Sequence, residues 1–185
     1  YQYNYAEADI TSNFWNAGVN AGLTPNQIME LAGIFGWDID FALDIRGGDH
    51  FKILYQEKVV EGEVVGRGKI IAAIFKNQGD TFKAILDDKT GNYYDENGRA
   101  MKKAFLRSPL DFRRVTSNFN PTRRHPVTGK VRAHRGTDYA APVGTPIWAA
   151  GDGTVLKSSY NQFNGNYVFI KHSNTYITKY LHLQR

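Results

Sequence analysis

Cysteine does not occur anywhere in this 185-residue sequence. Its absence excludes disulfide bonds, thiolate ligands to a metal and a cysteine nucleophile. A metal site would have to be built from imidazole and carboxylate groups, which 5 histidines and 18 acidic residues can supply.

Long apolar runs are also missing. No stretch of about 18 apolar residues occurs, so we predict no transmembrane segment. The chain lacks the basic-then-apolar pattern of a signal peptide, so we expect a mature or trimmed product or a cytoplasmic protein. Its first residue is tyrosine rather than methionine, which favours trimming. Hydrophobic residues make up 42% of the sequence, enough for one large or two small globular cores.

The formal net charge is +5, and the pI is near 9.3. This charge suits a polyanionic partner such as nucleic acid, acidic lipid or the carboxylate-rich bacterial cell wall. The basic residues are scattered apart from two Arg-Arg pairs, at 113–114 and 123–124. Because no nucleic-acid recognition motif accompanies them, we predict no nucleic-acid partner.

Two helices are predicted near the start of the chain. Apolar residues recur at helical spacing over residues 10–21. The second helix is marked more sharply. Thr24 can cap it, Pro25 suits its first position, and Gln27 completes a T-x-x-Q capping box before Gly36 ends it. Residues 1–8 show no clear period, and no element is predicted for them.

Short β segments with turn residues between them follow, predicted over residues 51–55, 64–75 and 81–86, with a hairpin tip at 95–98. This pattern predicts an antiparallel meander with the two helices packed at one end. A boundary is predicted at Ser108-Pro109. We therefore expect an α+β domain over residues 1–108 and a mainly β unit over residues 109–185.

Two motifs of the first domain resemble binding sites only superficially. The stretch 66–69, Gly-Arg-Gly-Lys, is too short for a phosphate-binding loop and is predicted to be a bulge in a strand. Asp38, Asp40 and Asp44 lack the glycine that a calcium loop requires between its ligands. We predict that these carboxylates are helix-end charges.

The second unit is predicted to contain a strand over residues 144–148, a tight hairpin turn at Asp152-Gly153 and two later strands, 167–171 and 176–183. Successive side chains of the last strand should point to opposite faces of the sheet, so Tyr180 and His182 should lie on the same face.

His134 and Asp138 form a candidate half-site for a metal. A helix is improbable there because Gly136 lies between them and Pro142 follows, so a loop or a bent strand is predicted. Imidazole nitrogen and carboxylate oxygen both suit zinc. Two ligands alone do not make a site, and a hydrogen-bonded histidine beside a capping aspartate explains the same pattern.

This pair belongs to the third of five motifs in the second unit. They are Ser-Asn-Phe at 117–119, Arg-His-Pro-Val at 124–127, His-Arg-Gly-Thr-Asp-Tyr-Ala-Ala-Pro-Val-Gly-Thr-Pro at 134–146, Asp-Gly at 152–153 and Tyr-Leu-His-Leu at 180–183. In order and spacing they closely resemble the catalytic domain of lysostaphin/LytM-type zinc peptidases. The preceding region, with Phe-Gly-Trp-Asp-Ile-Asp-Phe at 35–41 and Asp-Ile-Arg-Gly-Gly-Asp at 44–49, resembles the domain before the catalytic one in Gram-negative members.

The resemblance implies that His134 and Asp138 bind Zn²⁺. It also implies that His182 lies beside the metal and helps to stabilise the tetrahedral intermediate. The family takes its remaining zinc ligand and another active-site histidine from a later H-x-H motif, which this sequence does not contain. We therefore expect a further C-terminal segment of the same protein to be needed, and residues 1–185 to be inactive alone.

Three other histidines are conceivable substitutes for the absent ligand, but we predict that none of them is one. His50 is predicted to be a surface or turn residue of the first domain. His125 could line the substrate cleft that the resemblance implies beside the zinc site, and His172 is predicted to be structural.

The function implied by the resemblance is zinc-dependent endopeptidase activity on the peptide cross-links of bacterial peptidoglycan. The expected partners are peptidoglycan stem peptides, and the expected location is the periplasm of a Gram-negative bacterium. Two alternatives remain open: a LytM-type regulator that activates other wall hydrolases without catalysis, and a plain wall-binding module. The resemblance also implies that the N-terminal domain restricts access to the cleft.

Overall fold

A computed structural model of the chain describes residues 1–111, 139 and 141–185. The described residues belong to two compact units. The first is Tyr1–Ser108, and the second contains residues 109–111, 139 and 141–185. No helix in these described ranges is long and apolar enough to cross a membrane.

The first unit combines two helices with a five-stranded antiparallel sheet in the order β1-β2-β3-β4-β5. Its elements are β1 Gln2–Asp9, α1 Phe14–Asn20, α2 Pro25–Phe35, β2 His50–Val60, β3 Glu63–Asn77, β4 Asp80–Asp87 and β5 Asn92–Tyr94. The predicted α+β class and the antiparallel meander are confirmed. The edge strand β1 was not predicted, because only Ala6 of its residues is buried and the alternation of apolar and polar residues changes phase between Tyr5 and Ala6.

The start of each helix follows from a side chain that caps it. The predicted capping box of α2 is present: Gln27 N–H donates to Thr24 Oγ1 at 3.2 Å, and Thr24 N–H donates to Gln27 Oε1 at 3.1 Å. The first helix begins later than predicted, because the Asn13 side chain accepts a hydrogen bond from Asn16 N–H at 2.8 Å and caps the helix there. Ile10, fully buried, precedes the helix.

Aromatic side chains form the core between the helices and the sheet. Phe75 lies at its centre, with ring centroids 5.3 Å from Phe41, 5.7 Å from Phe35, 5.8 Å from Phe14 and 6.0 Å from Phe51. The Phe51 ring is stacked on Phe75 and the other three rings are tilted or edge-on to it, and such contacts add to the burial of apolar area. The core therefore joins both helices to β2 and β3.

The long strand β3 is irregular where a bulge was predicted. Its pairing with β2 shifts register at three places, between Leu54 and Tyr55, between Tyr55 and Glu57, and between Lys58 and Val59. At each shift β3 contributes an extra residue, so the prediction of a bulge at 66–69 is confirmed. Bulges bend a strand and change the direction of its side chains.

Asp40 caps the loop after α2. Its Oδ1 accepts hydrogen bonds from Ala42 N–H at 2.9 Å and Leu43 N–H at 3.0 Å. Only 4% of the residue is exposed, and this burial raises the pKa of the Asp40 carboxyl above its ordinary value of 3.8. Asp38 forms an ion pair with Lys103. Both carboxylates therefore make contacts within the first unit.

The raised pKa of Asp40 predicts how stability depends on pH. The folded state holds the Asp40 proton more tightly than the unfolded state, so this contribution to stability is present below pH 3.8 and is lost as pH rises through the raised pKa. Asp40→Asn keeps an oxygen for the two N–H donors and does not ionise. Relative to the parent, its free energy of unfolding should rise as pH increases from about 4 to about 7.

Urea denaturation across that pH range measures the effect. Asp95→Asn is the matched control, because Asp95 Oδ1 also accepts two backbone N–H groups, from Asn97 and Arg99, but Asp95 is only half-buried. An identical pH dependence for the two variants would contradict the assignment.

The described part of the second unit contains an antiparallel sheet of three strands in the order β6-β7-β8. These are β6 Thr154–Asn161, β7 Gly165–Lys171 and β8 Ile177–Leu183. The two later predicted strands are confirmed as β7 and β8. The predicted strand at 144–148 is wrong, since Ile147 forms only an isolated bridge with Leu110.

The predicted hairpin turn at Asp152-Gly153 is also wrong. Among the described residues, no strand precedes this turn for β6 to pair with, and β6 pairs with β7 instead. Asp152 and Gly153 lie against the end of β7, where Asp152 O contacts His172 Nδ1 at 2.6 Å. Gly153 therefore allows a close contact with the end of β7 and does not form a hairpin turn.

Candidate functional site

Of the three site residues predicted from the sequence, the structure describes His182. His134 and Asp138 lie outside the described residues, as does His125. Within the described ranges, no cluster of three or more His, Cys, Asp or Glu side chains could hold a metal ion. The geometry that follows therefore concerns the β6-β7-β8 sheet around His182.

His182 lies in an irregularity near the end of β8. Asn166 pairs with Leu183 and Val168 pairs with Tyr180, so the single residue Tyr167 of β7 faces two residues of β8. His182 takes a left-handed backbone conformation with φ of 58°. This conformation is uncommon for a residue with a side chain, and it shows that the bulge is centred on His182.

The bulge changes the face on which His182 was predicted to lie. The more shielded residues of β8 are Thr178, Tyr180 and then Leu183, while Leu181 and His182 are exposed. The prediction that His182 continues the face of Tyr180 is therefore wrong, because an extra residue breaks the alternation. His182 instead presents its imidazole to solvent, and within the described residues no hydrogen bond of that imidazole is found.

The turn between β6 and β7 holds the backbone of His182. Asn161 Oδ1 accepts hydrogen bonds from Phe163 N–H at 3.0 Å and Asn164 N–H at 2.7 Å, which fixes the turn. Asn164 O then accepts a hydrogen bond from His182 N–H at 2.8 Å. A Cβ at Gly165 would make only ordinary contacts, 3.5 Å from His182 Cα and 3.7 Å from its Nδ1, so glycine is favoured there by its left-handed φ of 64°.

A hydrogen-bonded chain of polar groups runs beside His182 on the shielded face. His172 Nδ1 contacts Asp152 O at 2.6 Å, and its Nε2 contacts Thr178 Oγ1 at 2.6 Å. Thr178 Oγ1 lies 2.9 Å from the hydroxyl of Tyr180, which accepts a hydrogen bond from Ala150 N–H at 2.8 Å. Since a carbonyl can only accept, His172 carries a proton on Nδ1.

This chain ties residues 150–152 to β7 and β8. Thr178 and Tyr180 are members of this hydrogen-bonded chain. The sequence alone did not indicate a role for either residue. His172 has both ring nitrogens engaged with protein groups, which agrees with its predicted structural role. His50 lies in the first unit, where Nδ1 contacts Asp9 Oδ1 at 2.8 Å.

Gly153 is predicted to be intolerant of a side chain. A Cβ there would lie 2.6 Å from Ile170 Cγ2, 2.6 Å from Lys171 O and 3.0 Å from His172 Nδ1. Gly153→Ala should therefore push residues 150–152 away from β7 and cost about 1–3 kcal/mol of unfolding free energy. Chemical denaturation measures this loss.

Gly33→Ala is the control for that substitution. Gly33 lies inside α2, and among the described residues no atom comes within 4 Å of the position that a Cβ would occupy there. Alanine should therefore be neutral or stabilise by about 0.5–1 kcal/mol. Equal stability of Gly153→Ala and the parent protein would show that the close contact is unimportant.

Comparisons with known protein families cover both parts of the chain. Residues 1–121 match the family described as the Csd3 second domain, and residues 132–185 match Peptidase family M23. The second match includes His134, Asp138 and His182.

Individual relatives agree with the family matches. The chain is 82% identical over all its 185 residues to Peptidoglycan DD-endopeptidase ShyC of Vibrio cholerae, covering 43% of that protein. It is 38% identical over 178 residues to Peptidoglycan DD-endopeptidase ShyA of the same species, a match that covers 96% of this chain and 41% of ShyA. The chain therefore spans less than half the length of these relatives.

A solved structure is similar along the whole chain. It is described as a zinc containing peptidase from Vibrio cholerae, with 35% identity and a TM-score of 0.51, covering 100% of this chain and 57% of that one. Together with the antiparallel fold of both units, these matches identify the sequence. The chain belongs to the Csd3 second domain family, and its residues 132–185 match Peptidase family M23.

Proposed function

We propose that this protein is a zinc-dependent endopeptidase that hydrolyses peptide cross-links of bacterial peptidoglycan. The observation that carries the proposal is the 82% identity, over the whole chain, to a protein named as a peptidoglycan DD-endopeptidase. The match to Peptidase family M23 over residues 132–185 supports the same activity. The activity is assigned to the full-length protein, since the chain spans 43% of that relative.

In this proposal His134 and Asp138 are the zinc ligands. The donor chemistry fits zinc, because an imidazole and a carboxylate are common ligands of catalytic zinc and the sequence offers no thiolate. When bound, zinc lowers the pKa of a coordinated water toward about 7 and polarises the scissile carbonyl. We assign the third ligand to the part of the full-length protein outside these 185 residues, as the greater length of the relatives allows.

His182 is proposed to act on the reacting peptide. Its imidazole is exposed, while its backbone is held by the hydrogen bond from its N–H to Asn164 O at 2.8 Å. An accessible imidazole on a backbone that is held in place can donate a hydrogen bond to the oxygen that becomes negative in the tetrahedral intermediate. Proton transfer to the departing amine is the other step that such a group can assist.

The cellular setting proposed is the periplasm of a Gram-negative bacterium, with peptidoglycan stem peptides as substrates. Two relatives from Vibrio cholerae named as peptidoglycan DD-endopeptidases support this setting. The formal charge of +5 suits a polymer rich in carboxylates.

Digestion of purified peptidoglycan by the full-length protein tests the proposal. Chromatography of the products should show cross-linked stem peptides converted to uncross-linked ones, with activity lost to a chelator and restored by zinc. Binding to peptidoglycan without release of products would refute the enzyme and favour the non-catalytic regulator or the wall-binding module.

A further inference from the structure

A cleft of about 460 Å³ lies in the first unit between the first turns of α2 and the bulged part of β3. Its lining consists of Thr24, Asn26, Gln27 and Glu30 from the helix side and residues 64–68 from the strand. The volume is within the range of about 300–1,000 Å³ that is usual for small-ligand sites. None of these residues takes part in the proposed hydrolysis.

Gln27 places an unsatisfied donor at this cleft. The residue is 3% exposed, and its Oε1 accepts hydrogen bonds from Thr24 N–H at 3.1 Å and Arg67 Nη1 at 2.8 Å. These two donors fix the orientation of the amide. Its Nε2 is therefore a buried donor with no hydrogen-bond partner in the described structure. Because an unmet buried donor is destabilising, an acceptor that reached Nε2 after a shift of the surrounding side chains would bind favourably.

Arg67 supplies a positive charge with spare donors. The three bulges of β3 lie on either side of it, and they allow its side chain to reach the helix. Nη1 donates to Gly22 O and Gln27 Oε1, and the guanidinium lies over the Tyr55 ring at 5.4 Å. Within the described residues no hydrogen bond of the other guanidinium nitrogens is found, so they can bind a carboxylate, which arginine holds through two parallel hydrogen bonds.

The N-terminus of α2 adds partial positive charge to the part of the cleft lined by Arg67. Pro25 has no N–H, and the N–H of Gln27 is bonded to Thr24 Oγ1 at 3.2 Å. The N–H of Asn26, at the second helical position, has no partner within the helix. The partial positive charge of a helix N-terminus favours an anion at this place.

Glu30 supplies the opposite charge one turn further along α2. Both of its hydrogen bonds go to Oε1, from Ile70 N–H at 3.1 Å and from the Tyr93 hydroxyl at 2.9 Å. These contacts hold the carboxylate in place, and among the described residues no hydrogen bond to Oε2 is found. Although Glu30 and Arg67 line the same cleft, no ion pair joins them among the described residues.

We propose that this cleft binds a small zwitterion, namely an amino acid or a short peptide with free amino and carboxyl termini. The carboxylate would contact Arg67, Gln27 and the N-terminus of α2, and the ammonium would contact Glu30. A separated cation and anion, with an unmet amide donor beside them, match a ligand that carries both charges better than a simple anion. The inference concerns the first unit and does not depend on the proposed hydrolysis.

Titration of the full-length protein with the dipeptide alanylalanine tests this site. ¹H–¹⁵N spectra should show saturable shifts of the Gln27 side-chain amide. Affinity should fall at least tenfold when the dipeptide carboxylate is converted to an amide, and at least tenfold in Arg67→Gln. Combining the amide ligand with Arg67→Gln should cause little further loss, because both changes remove the same contact.

The ammonium is tested in the same way. Glu30→Gln should weaken binding of the free dipeptide but leave the N-acetyl dipeptide unaffected. Arg99→Gln, in an exposed turn outside the cleft, is the control and should bind normally. Absence of saturable shifts, or equal affinity for the dipeptide blocked at both ends, would overturn the proposal. If Arg67→Gln fails to fold, the blocked ligands on the parent protein still decide the question.

Discussion

His134→Ala should abolish zinc binding and reduce hydrolysis of peptidoglycan by a factor of about 1,000 or more. In our proposal His134 is one of two zinc ligands within the M23 sequence of this chain. Loss of an imidazole ligand leaves an incomplete coordination shell, and the metal that polarises the carbonyl and activates water is lost with it. A thousandfold loss corresponds to about 4 kcal/mol of transition-state stabilisation.

The measurement is zinc content by elemental analysis together with the rate of release of uncross-linked peptides. His50→Ala is the matched control, since His50 lies in the first unit and is bonded to Asp9 rather than to a metal. The control should keep zinc and activity. Retention of zinc by His134→Ala would refute the assignment of His134 as a ligand.

His182→Gly should reduce kcat by about 100- to 1,000-fold while leaving zinc content unchanged. We expect this size of effect because removal of one preorganised donor to a developing oxyanion costs about 2.7–4 kcal/mol. Glycine is chosen because His182 has φ of 58°, a conformation that glycine adopts without strain. Loss of activity would then report the missing imidazole rather than a disturbed backbone.

The split between kcat and KM separates this role from a structural one. Removal of a group that acts only in the transition state lowers kcat and kcat/KM together and leaves KM nearly unchanged. His182→Asn also tolerates the left-handed backbone and keeps an amide donor, so part of the lost rate should return. A variant with normal kcat and raised KM would instead make His182 a substrate-binding residue.

Local sequence patterns were sufficient to predict the two helices and the strands β7 and β8. The capping box of Thr24 and Gln27 acts within one turn, so its residues alone predict the start of α2. The edge strand β1 could not be predicted in this way, because its pairing with β2 supplies the hydrogen bonds and only Ala6 is buried. Strands of this kind are specified by their partner.

The same limit applies to the functional residues. The orientation of His182 depends on a bulge that exists only in the pairing of β8 with β7. The role of Gly153 depends on contact with Ile170 and His172. The cleft beside Gln27 joins it to Arg67, 40 positions later. Such arrangements depend on tertiary contacts that no local pattern contains.

A crystal structure of the full-length protein, with anomalous scattering measured at the zinc absorption edge, tests the central claim most directly. We predict a zinc ion within about 2.0–2.2 Å of a His134 nitrogen and an Asp138 oxygen. The His182 imidazole should lie beside the ion without binding it. A zinc ion bound elsewhere, with neither His134 nor Asp138 among its ligands, would contradict this account.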